Sequence, residues 1–359
     1  MQRYRLSALG WTTRLDEAFA PHRAAGLEPA RVALEHTHIY RVVMPEGEGL
    51  ARVSGRLRHA ATSRSDYPAV GDWVAVKPSA HPGRWSIQAV LPRTSQFTRK
   101  AAGNRTEEQV VAANVDTVFL VTGLDGDFNP RRLERYLILA WESGAQPVVL
   151  LNKVDVVDDV APFLSETERV ASGVPVHAMS TKSGRGLDAL SQYLTPGRTL
   201  AFLGSSGVGK SSIINRLAGQ DLLKTRDVRA SDSRGRHTTM HRELVVLPDG
   251  GLVIDTPGLR ELQLWEARDG LDEVFDDIHS LATGCRFRDC SHRAEPGCAV
   301  RGAVEEGILD AGRLENFLKL QDEIRATEAR TDERAQQEAK RQGRIGAKAA
   351  RKLYKERGR

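Results

Sequence analysis

Apolar and polar positions are arranged in three different ways along this chain. Between Val32 and Leu91 the apolar stretches are short and are broken by turns such as Pro45-Glu46-Gly47 and His81-Pro82-Gly83. They predict strands over Val32–Val43, Leu50–Leu57, Trp73–Val76 and Trp85–Leu91. Several short strands at this spacing make a small barrel. Further on, Pro147–Leu151, Val174–Ala178 and Thr199–Leu203 read as strands of a buried sheet, and Ser212–Leu217, stopped by Gly219, reads as a helix. Glu243–Leu247 and Leu252–Ile254, joined by Pro248-Asp249-Gly250-Gly251, predict a hairpin. Near the end, Leu314, Phe317, Leu318 and Ile324 suggest an amphipathic helix. The expected fold class is multidomain: a barrel, an α/β domain and a mainly helical domain.

Composition agrees with several cores. The chain has 359 residues, 40% apolar and 28% charged, an ordinary balance for a water-soluble protein. No apolar run approaches the ~20 residues that cross a bilayer, and Met1-Gln2-Arg3-Tyr4-Arg5 leads into no signal core. A cytoplasmic location is expected. The net charge of +5 hides a division: residues 31–100 carry +6, residues 331–359 carry +6, and residues 101–330 carry −8. Two basic modules flank an acidic one. Arg52, Arg56, Arg58 and Arg64 gather around the polar loop Ser54–Asp66. Each alone reads as a solvated side chain, but together they suit a nucleic-acid backbone. The tail from about 331 reads either as a basic segment that orders on RNA or as a solubility tail.

The strand Thr199–Leu203 runs into Gly204-Ser205-Ser206-Gly207-Val208-Gly209-Lys210-Ser211, and a helix follows from Ser212. That context makes the glycine-rich segment a phosphate loop. Its glycines let backbone N–H groups turn inward onto phosphate oxygens, with the helix dipole behind them. Lys210 is placed for the β and γ phosphates, and the Ser211 hydroxyl for Mg²⁺. Asp255-Thr256-Pro257-Gly258 ends the hairpin about forty-five residues later. Asp255 is expected to hold the metal through water, and the Gly258 N–H to meet the γ-phosphate. Between these motifs lie Thr238 and Thr239, one of which is the expected switch ligand to Mg²⁺ and γ-phosphate.

Asn152-Lys153-Val154-Asp155 selects the base. Asp155 offers two acceptors to guanine N1–H and N2–H₂, which adenine cannot satisfy. Lys153 can lay its stem over the purine, Asn152 can tie this loop to the phosphate loop, and Ser180-Thr181-Lys182 can present backbone N–H to guanine O6. This base-reading element lies about fifty residues before the phosphate loop, whereas an ordinary GTPase has it afterwards. The order implies a GTPase fold whose chain has been cut and rejoined.

The three cysteines fall within fourteen residues, Cys285, Cys290 and Cys298, with His292 between the last two. Three thiolates and an imidazole complete a tetrahedral set for one structural Zn²⁺, leaving no position for water. An odd number of cysteines also argues against a disulfide scaffold.

Permuted motif order, Gly235-Arg236-His237-Thr238-Thr239 and this cysteine–histidine spacing together resemble the bacterial ribosome small-subunit-dependent GTPase A family, also called the RsgA or YjeQ family of circularly permuted GTPases. The resemblance covers residues from about 31 to 330. It implies an N-terminal extension over 1–30, an OB-fold RNA-binding barrel over 31–98, the permuted GTPase over 99–270, a zinc domain over 271–330 and a basic tail over 331–359. It also implies GTP and GDP as ligands, the small ribosomal subunit and its rRNA as partners, no membrane association and a monomeric state. The expected activity is GTP hydrolysis late in small-subunit maturation, followed by release. Two alternatives stay open: a nucleotide-dependent RNA-binding checkpoint without turnover, and a permuted GTPase of the large subunit. Leu259 stands where many GTPases carry a water-orienting glutamine, so His237 is the candidate that positions water.

Overall fold

The structure is a computed structural model and describes residues 4–36, 38–79, 83–100, 108–219, 243–255 and 267–329. Two compact units divide at Gln263 and Leu264. The first begins with a 3₁₀ turn, Leu6–Leu9, and helix α1 (Thr13–Ala24). The Thr12 side chain starts α1 by accepting from Leu15 N at 3.4 Å. Leu15 and Phe19, one helical turn apart, are its buried residues. Trp11 meets Trp73 edge-on at 4.8 Å and ties this segment to the barrel.

The barrel consists of β1 (Glu28–His36), β2 (Ile39–Met44), β3 (Gly47–Val53), β4 (Trp73–Pro78) and β5 (Arg84–Val90). Strands run in the order β1-β2-β3-β5-β4, and β4 pairs back on β1, closing the sheet. Val32, Val42, Val74, Val76 and Ile87 fill the interior. Two sequence expectations need correction. Val32–Val43 is a hairpin rather than one strand, turning at His38 with φ of 66°. Leu50–Leu57 stops as a strand at Val53, because Ser54 Oγ accepts from Leu57 N at 3.1 Å and starts helix α2 (Gly55–Ala60). Arg56 and Arg58 lie on α2, Arg64 opens a 3₁₀ turn, and all three are exposed, as is Arg52.

Strands β6 (Gln96–Lys100) and β7 (Glu108–Ala113) form a separate antiparallel pair and lead into the α/β part. There β8 (Thr117–Gly123), α3 (Pro130–Ser143), β9 (Gln146–Asn152), α4 (Ala161–Val170), β10 (Val176–Ala178), β11 (Thr199–Leu203), α5 (Lys210–Ala218), β12 (Glu243–Val246) and β13 (Leu252–Asp255) follow. Asn129 Oδ1 caps α3 at Arg132 N, and Gly144 ends it in the left-handed region. The strand order is β10-β9-β8-β11-β13-β12, parallel except for the β12–β13 hairpin. The phosphate-loop strand β11 therefore sits at the centre although it is fourth in this part of the chain. That is the permuted order in space.

Barrel and α/β sheet are joined by strand pairing and by side chains that cross the seam. Leu34 on β1 pairs with Glu243 on β12, making one eleven-stranded sheet. Beneath this seam Arg31 is 1% exposed, and its guanidinium donates to Leu9 O, Gly71 O, Asn114 O and Thr199 Oγ1. Burial lowers its pKa to about 10, so it remains a cation at neutral pH.

The second unit contains α6 (Arg268–Val274), α7 (Asp276–Ala282), α8 (Ala299–Glu305) and a helix over residues 311–329. Phe275, Ile278, Val300, Phe317, Leu320 and Ile324 are buried. Leu320, not Leu318, takes the core position; Leu318 is only half-buried. Arg313 clamps α7 through both Asp277 oxygens at 2.7 Å. Its guanidinium also stacks 4.7 Å from the Phe275 ring. Among the described residues no helix is long and apolar enough to cross a membrane.

Candidate functional site

The phosphate loop leaves β11 at the carboxyl edge of the sheet, the side where open α/β sheets bind ligands. Two glycines have no substitute there. A Cβ on Gly204 would lie 2.3 Å from Val121 O, and one on Gly209 (φ 101°) 2.3 Å from Asn152 Nδ2. Val208 is fully buried and anchors the loop in the core under α5. Ser205 and Lys210 are half-buried, and Ser206 and Gly207 are exposed. Lys210 Nζ donates to Gly204 O at 2.7 Å and Ser205 O at 2.5 Å, carbonyls of the same loop. Ser211 and Ser212 lie in the first turn of α5, both half-buried. Asp255 ends β13; burial pushes its carboxyl pKa up, Lys210 opposes the shift and Glu243 adds to it.

Asn152 ends β9, two strands from β11, and is fully buried. Its Nδ2 donates to Val208 O at 2.8 Å and its Oδ1 accepts from Thr181 N at 3.1 Å. One side chain thus holds three loops together. Lys153 adopts φ of 68°, which turns the chain out of the strand, and its Nζ reaches Asp125 Oδ2 at 2.5 Å. Asp155 accepts from Ser180 Oγ at 2.5 Å, and that hydrogen bond lowers its pKa. Lys182 Nζ stands 3.9 Å from the same carboxylate. Asp155 is an anion oriented by Ser180, and a carboxylate of this kind can accept two N–H donors in one plane.

In the second unit Cys285, Cys290, His292 and Cys298 bring their ligand atoms within 4.8 Å of one another. His292 Nδ1 lies 3.7 Å from Cys285 Sγ and 3.5 Å from Cys298 Sγ, and the two sulfurs are 3.9 Å apart. Around Zn²⁺ with bonds of about 2.3 Å to sulfur and about 2.0 Å to nitrogen, tetrahedral edges come to roughly 3.5–3.8 Å. The donors therefore fit such an ion, with His292 offering Nδ1. Burial lowers the His292 pKa, which keeps the imidazole neutral and able to ligate. Glu295 gathers Ser291 N, Arg293 N and Ala294 N at 2.9–3.1 Å and so fixes the turn that presents His292. Cys298 Sγ accepts from Arg301 N at 3.5 Å, placing a thiolate-compatible group at the start of α8.

The RsgA GTPase family model matches residues 90–265. A protein of Opitutus terrae named small ribosomal subunit biogenesis GTPase RsgA is 49% identical over 336 residues, 91% of this chain and 92% of that protein. The chain belongs to the RsgA GTPase family. A relative of the same name from Syntrophotalea carbinolica is 42% identical and covers 98% of this chain and 99% of its own length. Among solved structures, YjeQ from Thermotoga maritima has a TM-score of 0.62 at 30% identity, covering 83% of this chain and 98% of its own. YloQ, a circularly permuted GTPase, has a TM-score of 0.59 at 26% identity, covering 84% and 96%.

As an RsgA-family GTPase, the chain has its Asn152–Asp155 and Gly204–Ser211 segments in direct contact through the Asn152 side chain. His237, Thr238, Thr239, Gly258 and Leu259 lie outside the described residues. Sequence reasoning missed Asp125, the partner of Lys153, although its place two residues beyond the end of β8 was a strand-end signal. It also missed Glu243, directly opposite Asp255 in the β12–β13 register.

Proposed function

We propose that this chain hydrolyses GTP late in maturation of the small ribosomal subunit, docking on subunit rRNA and leaving after hydrolysis. The observation that carries the reading is the likeness to proteins named for small-subunit biogenesis across nine tenths of the chain, which takes in barrel, GTPase and cysteine–histidine cluster together. In this reading Asp155 pairs with guanine N1–H and N2–H₂, held in aim by the Ser180 hydroxyl. The Lys153 stem covers the purine, and the Ser180–Lys182 backbone meets O6. Asn152 couples base capture to phosphate-loop shape through Val208 O. The N–H groups from Gly204 to Lys210 take the phosphate oxygens, and Lys210 exchanges its two loop carbonyls for β and γ phosphate. Ser211 and Asp255 would hold Mg²⁺, which neutralises phosphate charge when bound; either Thr238 or Thr239 would join them. His237 orients the attacking water, in place of the glutamine that Leu259 replaces.

Cys285, Cys290, His292 and Cys298 would hold Zn²⁺ in a closed set, so its part is structural. The barrel's exposed Arg52, Arg56, Arg58 and Arg64 contact rRNA phosphates. The protein acts in the cytoplasm as a monomer. Leu259 favours a second reading, a nucleotide-switched rRNA-binding checkpoint with no turnover. Phosphate release over many cycles separates the two. Hydrolysis predicts more than one phosphate per protein with small subunits present, while the checkpoint predicts GTP-dependent co-sedimentation and at most one. If His237→Ala leaves the stimulated kcat unchanged, His237 is not the water-orienting group.

A further inference from the structure

Successive Cα partners across the joined sheet form one lateral row: Glu243 on β12, Leu34 on β1, Arg41 on β2, Leu50 on β3 and Arg84 on β5. Partners in register project on the same face. Here that face is the outside of the barrel: Leu50 is 50% exposed and Arg84 is exposed, while Arg41 is half-buried. Arg41 reaches past Leu34 and forms an ion pair with Glu243, and its other terminal nitrogen lies 3.5 Å from Glu48 Oε2. Among the described residues, its buried Nε has no acceptor. Glu243 in turn is the register partner of Asp255. Two carboxylates directly opposite on neighbouring strands destabilise the pairing unless a cation offsets one of them. Lys210 acts on Asp255, and Arg41, contributed by the barrel, is the cation on Glu243.

We infer that Arg41 is a positioning residue that couples rRNA docking on the barrel to the GTPase site, acting through Glu243 on the strand pair that carries Asp255. This rests on the function proposed above. With no RNA, Arg41 neutralises Glu243 and holds β12 and β13 in their present register. An rRNA phosphate arriving on the row marked by Leu50 and Arg84 competes with Glu243 for the same guanidinium, and its unsatisfied Nε adds a donor for that phosphate. Once Arg41 turns to RNA, Glu243 faces Asp255 without its own cation, and Lys210 is left to offset the pair. That end of β13 then attracts a divalent cation more strongly. The barrel cation thus reports docking to the strand that ends in the metal-binding carboxylate. Arg31, buried and held by four acceptors, cannot exchange partners in this way.

The test measures GTP turnover at saturating purified small subunits divided by turnover without them, together with subunit affinity, for Glu243→Gln, Arg41→Gln, Arg41→Lys and Arg84→Gln. Glu243→Gln should bind subunits as the native protein does yet lose roughly fivefold of the stimulation ratio, the size of effect a directly opposed charge pair can carry. Arg41→Gln should lose both affinity and ratio, and Arg41→Lys should recover part of the ratio because it keeps the charge. Arg84→Gln should weaken binding and leave the ratio at saturation intact. Glu243→Gln and Arg41→Gln both stimulated as strongly as the native protein would overturn the inference. A native protein with no stimulation at all would instead sink the proposed function.

Discussion

The nucleotide site and the cysteine–histidine cluster differ in what holds their side chains. At the nucleotide site the groups come from strand ends far apart in sequence, and the sheet brings them together. Asn152 is tied to Val208 and Thr181, and Gly204 is packed against Val121 O above a continuous apolar core. The cluster lies within residues 285–298, where only His292 and Cys298 are buried. Its four donors sit at metal-bonding separations with little apolar packing of their own. One site is gathered from across the sheet; the donors of the other come from a single short loop.

The largest effect should come from taking the metal away. Structural Zn²⁺ in small modules is worth about 10–16 kcal/mol of apparent binding. Chelation or Cys290→Ser should therefore open residues 285–298 to proteolysis while GTP affinity measured on the same sample stays unchanged. An equal loss of GTP affinity would erase the contrast. Next is Arg31→Met, which strips a donor from four buried acceptors and should cost about 2–4 kcal/mol, read as a fall in Tm of the first unit only. Asn152→Ala should be smaller in stability, about 1–3 kcal/mol, but should lower GTP affinity at least tenfold because the base loop loses its tether. Gly209→Ala, strained by its positive φ and by Asn152, should match it.

The smallest effect is a pH shift. Asp155 has a folded-state pKa below the ordinary value, chiefly from the Ser180 hydroxyl, so its carboxylate persists above that lowered pKa and is lost as pH falls through it. Guanine-nucleotide affinity should therefore hold down to the lower edge of the carboxylate range. In Ser180→Ala the decline should begin at higher pH. Identical profiles for the two proteins would mean that the 2.5 Å contact does not tune Asp155.

The same contrast governs what could be read from the sequence. The phosphate loop and Asn152–Asp155 are contiguous runs and the cysteine–histidine set falls within fourteen residues, so each was legible locally. The permuted order followed from position alone. Contacts made by the fold left no local trace: Arg41 and Glu243 are 202 positions apart, and Arg31 and Thr199 are 168 apart. The β1–β2 hairpin was missed because it turns at His38 without glycine or asparagine, and α1 because Pro21 lies inside it. Ser54 was a readable cap, but it stood among arginines that suggested a loop.

The most direct measurement is steady-state GTP hydrolysis by the intact protein alone, with purified small subunits and with purified large subunits, each at two salt concentrations. Turnover should be slow alone, stimulated over multiple cycles by small subunits with an effect that weakens as salt rises, and unchanged by large subunits. Equal stimulation by both subunits, or none by the small subunit at low salt with GTP bound, would contradict that expectation.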